Sequence, residues 1–492
     1  MTSLKNFATQ PFIIALKGFL DSLHIPFNAI SDMPTNASGI MGELYKSQNK
    51  AHQIVGDVYW VGIVNDAIFE NNNPIFKDEW TVDKIKNITQ TYEGLLIFGV
   101  EIEGIPTRSQ LAEITRDFNR TFPHLPVMVI FKYNHLLAVA TSERSPYTQN
   151  WREGEKIGKV KIVRDVDVNN PHRGHLLILR ELAIERSGKN AVQSFADLYA
   201  YWQKVLDVSL LNKRFYRELF TWYLWAVQQV KFPKPNDEPL DDHAHQSISV
   251  IRLLTRLIFV WFVKEKNLIN NDIFDEENLK KYLNDFVPQS ATESDYYRAI
   301  LQNLFFATLN APMDKDANHE DEKRGFIEDK AKGNRGYSDD HLNHTKYRYA
   351  KLFKDKNQAR SLFDHIPFLN GGLFECLDSR DEAGNERRYD GFSNTEKKQA
   401  YVPNNLFFGD ETLDLSKELD DKKQNQVKVK GIMEILKSYK FTIAENTPIE
   451  EEVALDPELL GKVFENLLAS YNPETQSTAR KQIGRASCRE RV

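Results

Sequence analysis

The chain has 492 residues, 41% apolar and 27% charged, with a formal net charge of −6; this excludes a single small module, wholesale disorder and a global positive field drawing it to a polyanion. Two cysteines, Cys376 and Cys488, lie in unrelated contexts without metal-ligand spacing, which excludes a disulfide framework or a zinc ribbon. The longest apolar run, Leu257 to Val263, falls far short of the roughly 20 residues that cross a bilayer, and the N-terminus lacks a secretory pattern; no membrane partner and a cytoplasmic location are expected.

In chain order, Tyr92 to Ile102 (YEGLLIFGVEI) is apolar enough for a buried strand. Leu125 to Tyr133 (LPVMVIFKY) and His135 to Thr141 (HLLAVAT) read the same way. Between them, Thr107 to Phe122 sets Leu111, Ile114, Phe118 and Phe122 on one helical stripe, with Thr107 placed to cap it. Strand, helix, strand, strand is an α/β order.

From about Ser194 the pattern turns helical and aromatic. Asn212 to Val230, Ser247 to Lys266 and Tyr296 to Leu309 each carry large apolar side chains nearly all round, which predicts a helical core. Met313 to about Lys346 is dense in charge with few apolar anchors and reads as a mobile insertion. Ile366 to Glu375 is turn-rich around Gly371 and Gly372. Thr447-Pro448-Ile449-Glu450 has the form of a capping box opening a helix, and Asp456-Pro457 opens another that runs through Leu468. The last ten residues, Ile483 to Val492, change composition abruptly and resemble the conceptual translation of a sequencing adapter; they are set aside from fold reasoning together with Cys488.

Several long words in fixed order, FYRELFTWYLWAV, VIRLLTRLIFVWFVKEK, YYRAILQNLFFATLN, IPFLNGGLFECLD, YKFTIAENTP and EEVALDPELLGKVFENLLASYNPET, resemble the type IIG restriction-modification enzymes. The resemblance covers most of residues 160–482. It implies one polypeptide with a nuclease region, a helical connector and an adenine-N6 DNA methyltransferase. It also implies S-adenosylmethionine as methyl donor and double-stranded DNA as partner. Relatives continue into the methyltransferase after the words equivalent to Asn472-Pro473-Glu474-Thr475 and Ala479-Arg480-Lys481-Gln482. This sequence departs after Gln482, so it reads as an N-terminal fragment on which no methyl-transfer or cofactor residue can be placed.

The nuclease part of such enzymes carries an Asp followed by Glu-x-Lys on a strand, whose hard carboxylate oxygens suit Mg²⁺. The matching positions here are Asp57, with Asp66 as a further upstream acid, then Glu101 and Glu103. Asp57 and Glu101 are the candidate metal ligands. The lysine position holds Glu103, for which Arg108 or Gln110 on the next helix would have to substitute. Glu101 and Glu103 would share one strand face, as a metal site or as a solvated edge. His172 and His175 sit at an expected helix start, where capping outweighs a metal role. Arg108, Arg252 and Arg256 are candidate contacts to DNA phosphates, the alternative for the last two being ion pairs within the protein. Trp222, Trp225 and Trp261 read as core at helical spacing.

The expected fold is mixed α+β, with an N-terminal α/β nuclease-like domain over 1–185 and a helical connector over 186–312. The charged insertion of 313–346 follows. A mainly helical segment, 347–482, then leads toward the methyltransferase, and 483–492 is the artefact. Two functional readings stay open. One is the front part of a restriction-modification enzyme that methylates adenine N6 and cleaves unmodified DNA with Mg²⁺. The other is a non-catalytic recognition or interaction module of a defence methyltransferase, which the replacement of lysine by Glu103 favours. Neither the DNA site nor the oligomeric state can be read from the sequence.

Overall fold

The computed structural model describes residues 2–70, 85, 94–146, 155–185, 191–311, 324–327, 344–369, 372–417, 422–442, 447, 449–455 and 461. The adapter-like tail, the predicted helix from Asp456 to Leu468 apart from Gly461, and most of the charged insertion lie outside them. The architecture is mixed α+β. It falls into two compact units, one made of Met1–Lys213 with Ser438–Asp456 and the other of Arg214–Lys437.

The first unit is built on a seven-stranded sheet of order β1-β2-β3-β4-β5-β6-β7. The strands are β1 (Asn28–Ala29), β2 (Val55–Asn65), β3 (Gly94–Ile102), β4 (Val127–Tyr133), β5 (Leu136–Pro146), β6 (Glu155–Asp167) and β7 (Glu450–Glu452). Only β3/β4 and β6/β7 pair parallel; the other neighbours are antiparallel. A parallel neighbour needs a crossover, and helix α3 (Arg108–Thr121) supplies the one between β3 and β4. Its start is fixed by a full capping box. The Gln110 backbone N–H donates to Thr107 Oγ1 at 3.2 Å, and Gln110 Oε1 accepts from the Thr107 N–H at 2.9 Å. The predicted stripe Leu111, Ile114, Phe118 and Phe122 is buried against the sheet. There Phe98 meets Phe118 edge-on at 5.0 Å, and Trp60 packs on both Phe98 and Phe122.

The opposite face of the sheet is covered by α2 (Phe12–Ser22), which follows α1 (Thr2–Thr9). Gly99 allows the close approach: a Cβ there would stand 2.7 Å from Leu16 Cδ2 and 3.0 Å from the Phe12 ring. The sequence misplaced one element. The Thr447 to Glu450 box does form a local contact, the Glu450 N–H donating to Thr447 Oγ1 at 3.2 Å. The chain then extends instead of coiling, and Glu450 to Glu452 add to β6 as β7. Ladder bonds and burial of Glu450 outweigh the local helix signal.

In the second unit, α7 (Asp242–Glu265) is capped by Asp241, and most of α6 (Val208–Gln229) belongs to the same unit. The labels α4 (Arg173–Glu181) and α5 (Phe195–Val205) denote the intervening helices of the first unit. Tyr296–Gln302 and Phe305–Leu309 form π-helical turns, buried almost completely, as the all-round apolar pattern requires. Trp222, Trp225 and Trp261 are core residues, and Trp222 Nε1 donates to the Leu406 carbonyl at 2.6 Å. α7 is the one described helix long and apolar enough to cross a membrane, but 72% of its apolar window is buried inside the protein. Within the stretch read as a mobile insertion, Arg324 is anchored: buried, it donates to the carbonyls of Thr308, Ala311 and Ile366.

Candidate functional site

Asp57 and Glu101 sit on neighbouring antiparallel strands. Val55 pairs with Ile102 and Val58 with Val100, so Gly56 and Asp57 together oppose Glu101 in a β-bulge. A bulge re-aims the side chain it carries, and Gly56 lies close enough that a Cβ would stand 3.3 Å from the Glu101 carbonyl. Val58, Val100 and Ile102 belong to the core beneath α3. Strand alternation therefore directs Glu101, Gly99 and Tyr59 to the other face, where Phe12 of α2 meets Tyr59 edge-on at 5.8 Å. Asp57 is exposed and Glu101 half-buried. Burial, and then the charges of Glu101 and Asp57, push the Tyr59 hydroxyl above its ordinary pKa.

Glu103 is separated from this pair. It follows the end of β3, is exposed, and its N–H donates to the Ile54 carbonyl. Asp66, at the far end of β2, accepts from the Phe195 N–H at 2.6 Å and so caps α5. No cluster of three His, Cys, Asp or Glu residues with metal-binding geometry occurs among the described residues. Mg²⁺ does not need one: it keeps several waters and is held by one or two carboxylates plus substrate oxygens. Asp57 and Glu101 are carboxylates on adjacent strands, the class of donor that Mg²⁺ takes.

The arginines chosen as DNA contacts need correction. Arg108 is buried and donates through Nε to Glu450 Oε1 at 3.1 Å, an ion pair that also takes a hydrogen bond from Ser109 Oγ. Arg256 is buried too, its Nη1 on Asp390 Oδ1 at 2.7 Å and its other donors on the carbonyls of Leu373 and Glu375. Burial works against both charges, yet the Arg256 guanidinium holds the Asp390 carboxyl below its usual range. Both guanidinium groups are engaged inside the protein. The partner acids, Glu450 and Asp390, lie far away in sequence. Arg252 is half-buried, donating to Ser249 Oγ beside the Tyr389 ring. His172 caps α4 through Nδ1, which accepts from the Gly174 N–H at 3.0 Å.

Sequence reasoning missed Tyr59 and Lys132. Lys132 is the cross-strand neighbour of Glu101 on β4, and its ammonium lies 5.6 Å from the centre of the Phe12 ring. The available signal was a single charged residue inside the otherwise apolar run VMVIFKY. A polar cleft of about 600 Å³ lies toward the other edge of the sheet, beside β6 and β7. Two cations, Arg116 and Lys159, and three acids, Glu143, Asp207 and Glu451, line it, with Lys159 at 3.8 Å from Glu451.

The site thus offers paired acids on a mixed sheet, donors of the class that holds a hard divalent cation. A protein of Methanocaldococcus jannaschii, described as a "Putative type II restriction enzyme and methyltransferase", is 27% identical over 234 residues, 48% of this chain and 13% of the relative. The chain is therefore related in sequence to a restriction-modification protein, and it spans only a small part of that relative's length. No family model matches the chain. No solved structure matches it either.

Proposed function

We propose that the chain is the N-terminal part of a type IIG restriction-modification enzyme and that its seven-stranded unit is the Mg²⁺-dependent nuclease acting on double-stranded DNA. The observation carrying this reading is the β-bulge that sets Asp57 opposite Glu101. In the complete enzyme, a methyl group passes from S-adenosylmethionine to adenine N6; the base must leave the duplex stack to be reached, at a cost of a few kcal/mol. In this reading the methyl donor belongs to a region beyond Gln482, and no residue of this chain is assigned to it.

Asp57 and Glu101 would hold Mg²⁺, which when bound polarises the scissile phosphate and activates water. Tyr59 lines the same face, and its hydroxyl is a hydrogen-bond donor of the kind a phosphate oxygen accepts from. The alternative of a non-catalytic module rested on Glu103 standing where a lysine is expected. Glu103 lies past the end of β3, and the lysine expected there is replaced by a carboxylate. The test is Mg²⁺-dependent cleavage of unmethylated double-stranded DNA by the full-length protein against its Glu101→Ala variant. Loss of cleavage with retained methylation supports the reading; equal cleavage by both proteins refutes it.

A further inference from the structure

We infer that Lys132, carried by the neighbouring strand, supplies the positive charge that Glu103 cannot, and is a catalytic residue of the nuclease. The inference rests on the nuclease reading of Asp57 and Glu101. It begins from register: Glu101 on β3 pairs with Lys132 on β4 in a parallel ladder, where paired residues share a face. Strands lie about 4.8 Å apart, so Asp57, Glu101 and Lys132 form a row across three consecutive strands. The other residues of β4 are buried, and Lys132 is the half-exposed exception.

Several other cations of this unit are occupied within the protein, and Lys132 is not among them. Arg108 is paired with Glu450, Lys161 with Glu143 at 2.8 Å, and Arg144 donates to the carbonyls of Pro123, Phe122 and Leu125. Among the described residues, no carboxylate lies within ion-pair distance of the Lys132 ammonium, whose contact is the Phe12 ring. A cation beside an aromatic face is oriented by the ring without being neutralised. Gly99 permits this arrangement, because a side chain there would displace Phe12.

In hydrolysis, the oxygen of a water forms a bond to phosphorus as the bond from phosphorus to the leaving sugar oxygen breaks. The attacking water loses a proton to solvent and the leaving oxygen gains one from solvent. Lys132 takes no part in these proton transfers. Its ammonium donates to a non-bridging phosphate oxygen, where negative charge accumulates in the transition state. No oxidant or further reactant is required.

The experiment uses the full-length protein with unmethylated double-stranded DNA, with Mg²⁺ and with and without S-adenosylmethionine, in wild-type, Glu101→Ala, Lys132→Met and Lys132→Arg forms. Cleavage rate is read beside Mg²⁺ binding by titration calorimetry and thermal stability by circular dichroism. Lys132→Met should lower the cleavage rate by about 10²–10³-fold, the effect of removing one charge-stabilising donor. It should keep Mg²⁺ binding and melting temperature, and Lys132→Arg should recover part of the rate. Glu101→Ala should lose both cleavage and Mg²⁺ binding. If Glu101→Ala is inactive while Lys132→Met cleaves within about threefold of wild type, the nuclease reading stands and the role of Lys132 is overturned. Loss of Mg²⁺ binding or of stability in both Lys132 variants overturns it as well, in favour of a structural role. If wild type neither cleaves nor binds Mg²⁺, the nuclease reading itself fails and takes this inference with it.

Discussion

Replacing Glu450 by alanine should destabilise the first unit more than any change on its surface. Glu450 lies on the three-residue strand β7, its side chain 4% exposed, and accepts from Arg108 Nε at 3.1 Å and Ser109 Oγ at 3.0 Å. Arg108 is itself only 9% exposed, so the variant would strand a buried guanidinium. Breaking one side of a buried pair costs about 3–5 kcal/mol, whereas replacing both sides with apolar residues of similar volume is often neutral. For a unit of this size, each kcal/mol moves the melting temperature by about 2–4 °C, so Glu450→Ala should lower it by about 6–20 °C. Circular dichroism melts of Glu450→Ala and of the double variant Arg108→Met, Glu450→Met provide the assay. A fall below about 2 °C in the first, or no recovery in the second, would refute the assignment of a buried pair. Because Arg108 is occupied inside the unit, the double variant should also leave the salt dependence of DNA binding unchanged; a slope reduced by about one would return Arg108 to phosphate contact.

His175 gives a pH signature: burial, followed by the charges of Lys440 and His172, lowers its pKa from 6.5 to about 3. The unfolded chain therefore takes a proton that the folded one refuses. Stability is complete above about pH 6.5 and falls as pH drops toward 3, by up to about 1.4 kcal/mol per unit, and denaturant titrations of His175→Leu should lack that slope. Phe118→Ala empties the centre of the cluster formed with Phe98 and should cost about 3–5 kcal/mol in chemical denaturation. Asp390→Ala in the second unit strands the buried Arg256 and should cost a similar amount, while Asp390→Asn, which keeps an oxygen for the Leu377 N–H, should cost less by the same measurement.

Where local periodicity and burial agree, the sequence was explicit. The buried stripe of α3, its Thr107 cap and strands β3, β4 and β5 were legible because each is decided by residues within a single element. Strand β7 was not. Its three glutamates follow a helix-start motif, and only pairing with β6, nearly 300 residues away, makes them a strand. Asp57 and Glu101 could be named from the resemblance, yet their juxtaposition depends on a register shift that no local pattern encodes. Lys132 was overlooked for the same reason: its relation to Glu101 exists only through the ladder between β3 and β4.

The fate of the cations explains why counting charges along the sequence misdirects the search for a nucleic-acid contact. Arginine suits phosphate, but the features that make it suit phosphate also make it the residue that best satisfies buried carbonyls and carboxylates. Arg108, Arg144, Arg256 and Arg324 are all used that way. Asp378 shows the converse, its buried carboxylate accepting from the backbone N–H groups of Tyr389, Asp390, Gly391 and Phe392. A guanidinium set on an apolar helix must find such partners or remain unpaired at high cost. A lysine near the end of a strand faces no such demand, since its stem can pack while its ammonium stays half-exposed. The cation available for chemistry is therefore the one the interior did not recruit, and beside Glu101 that cation is Lys132.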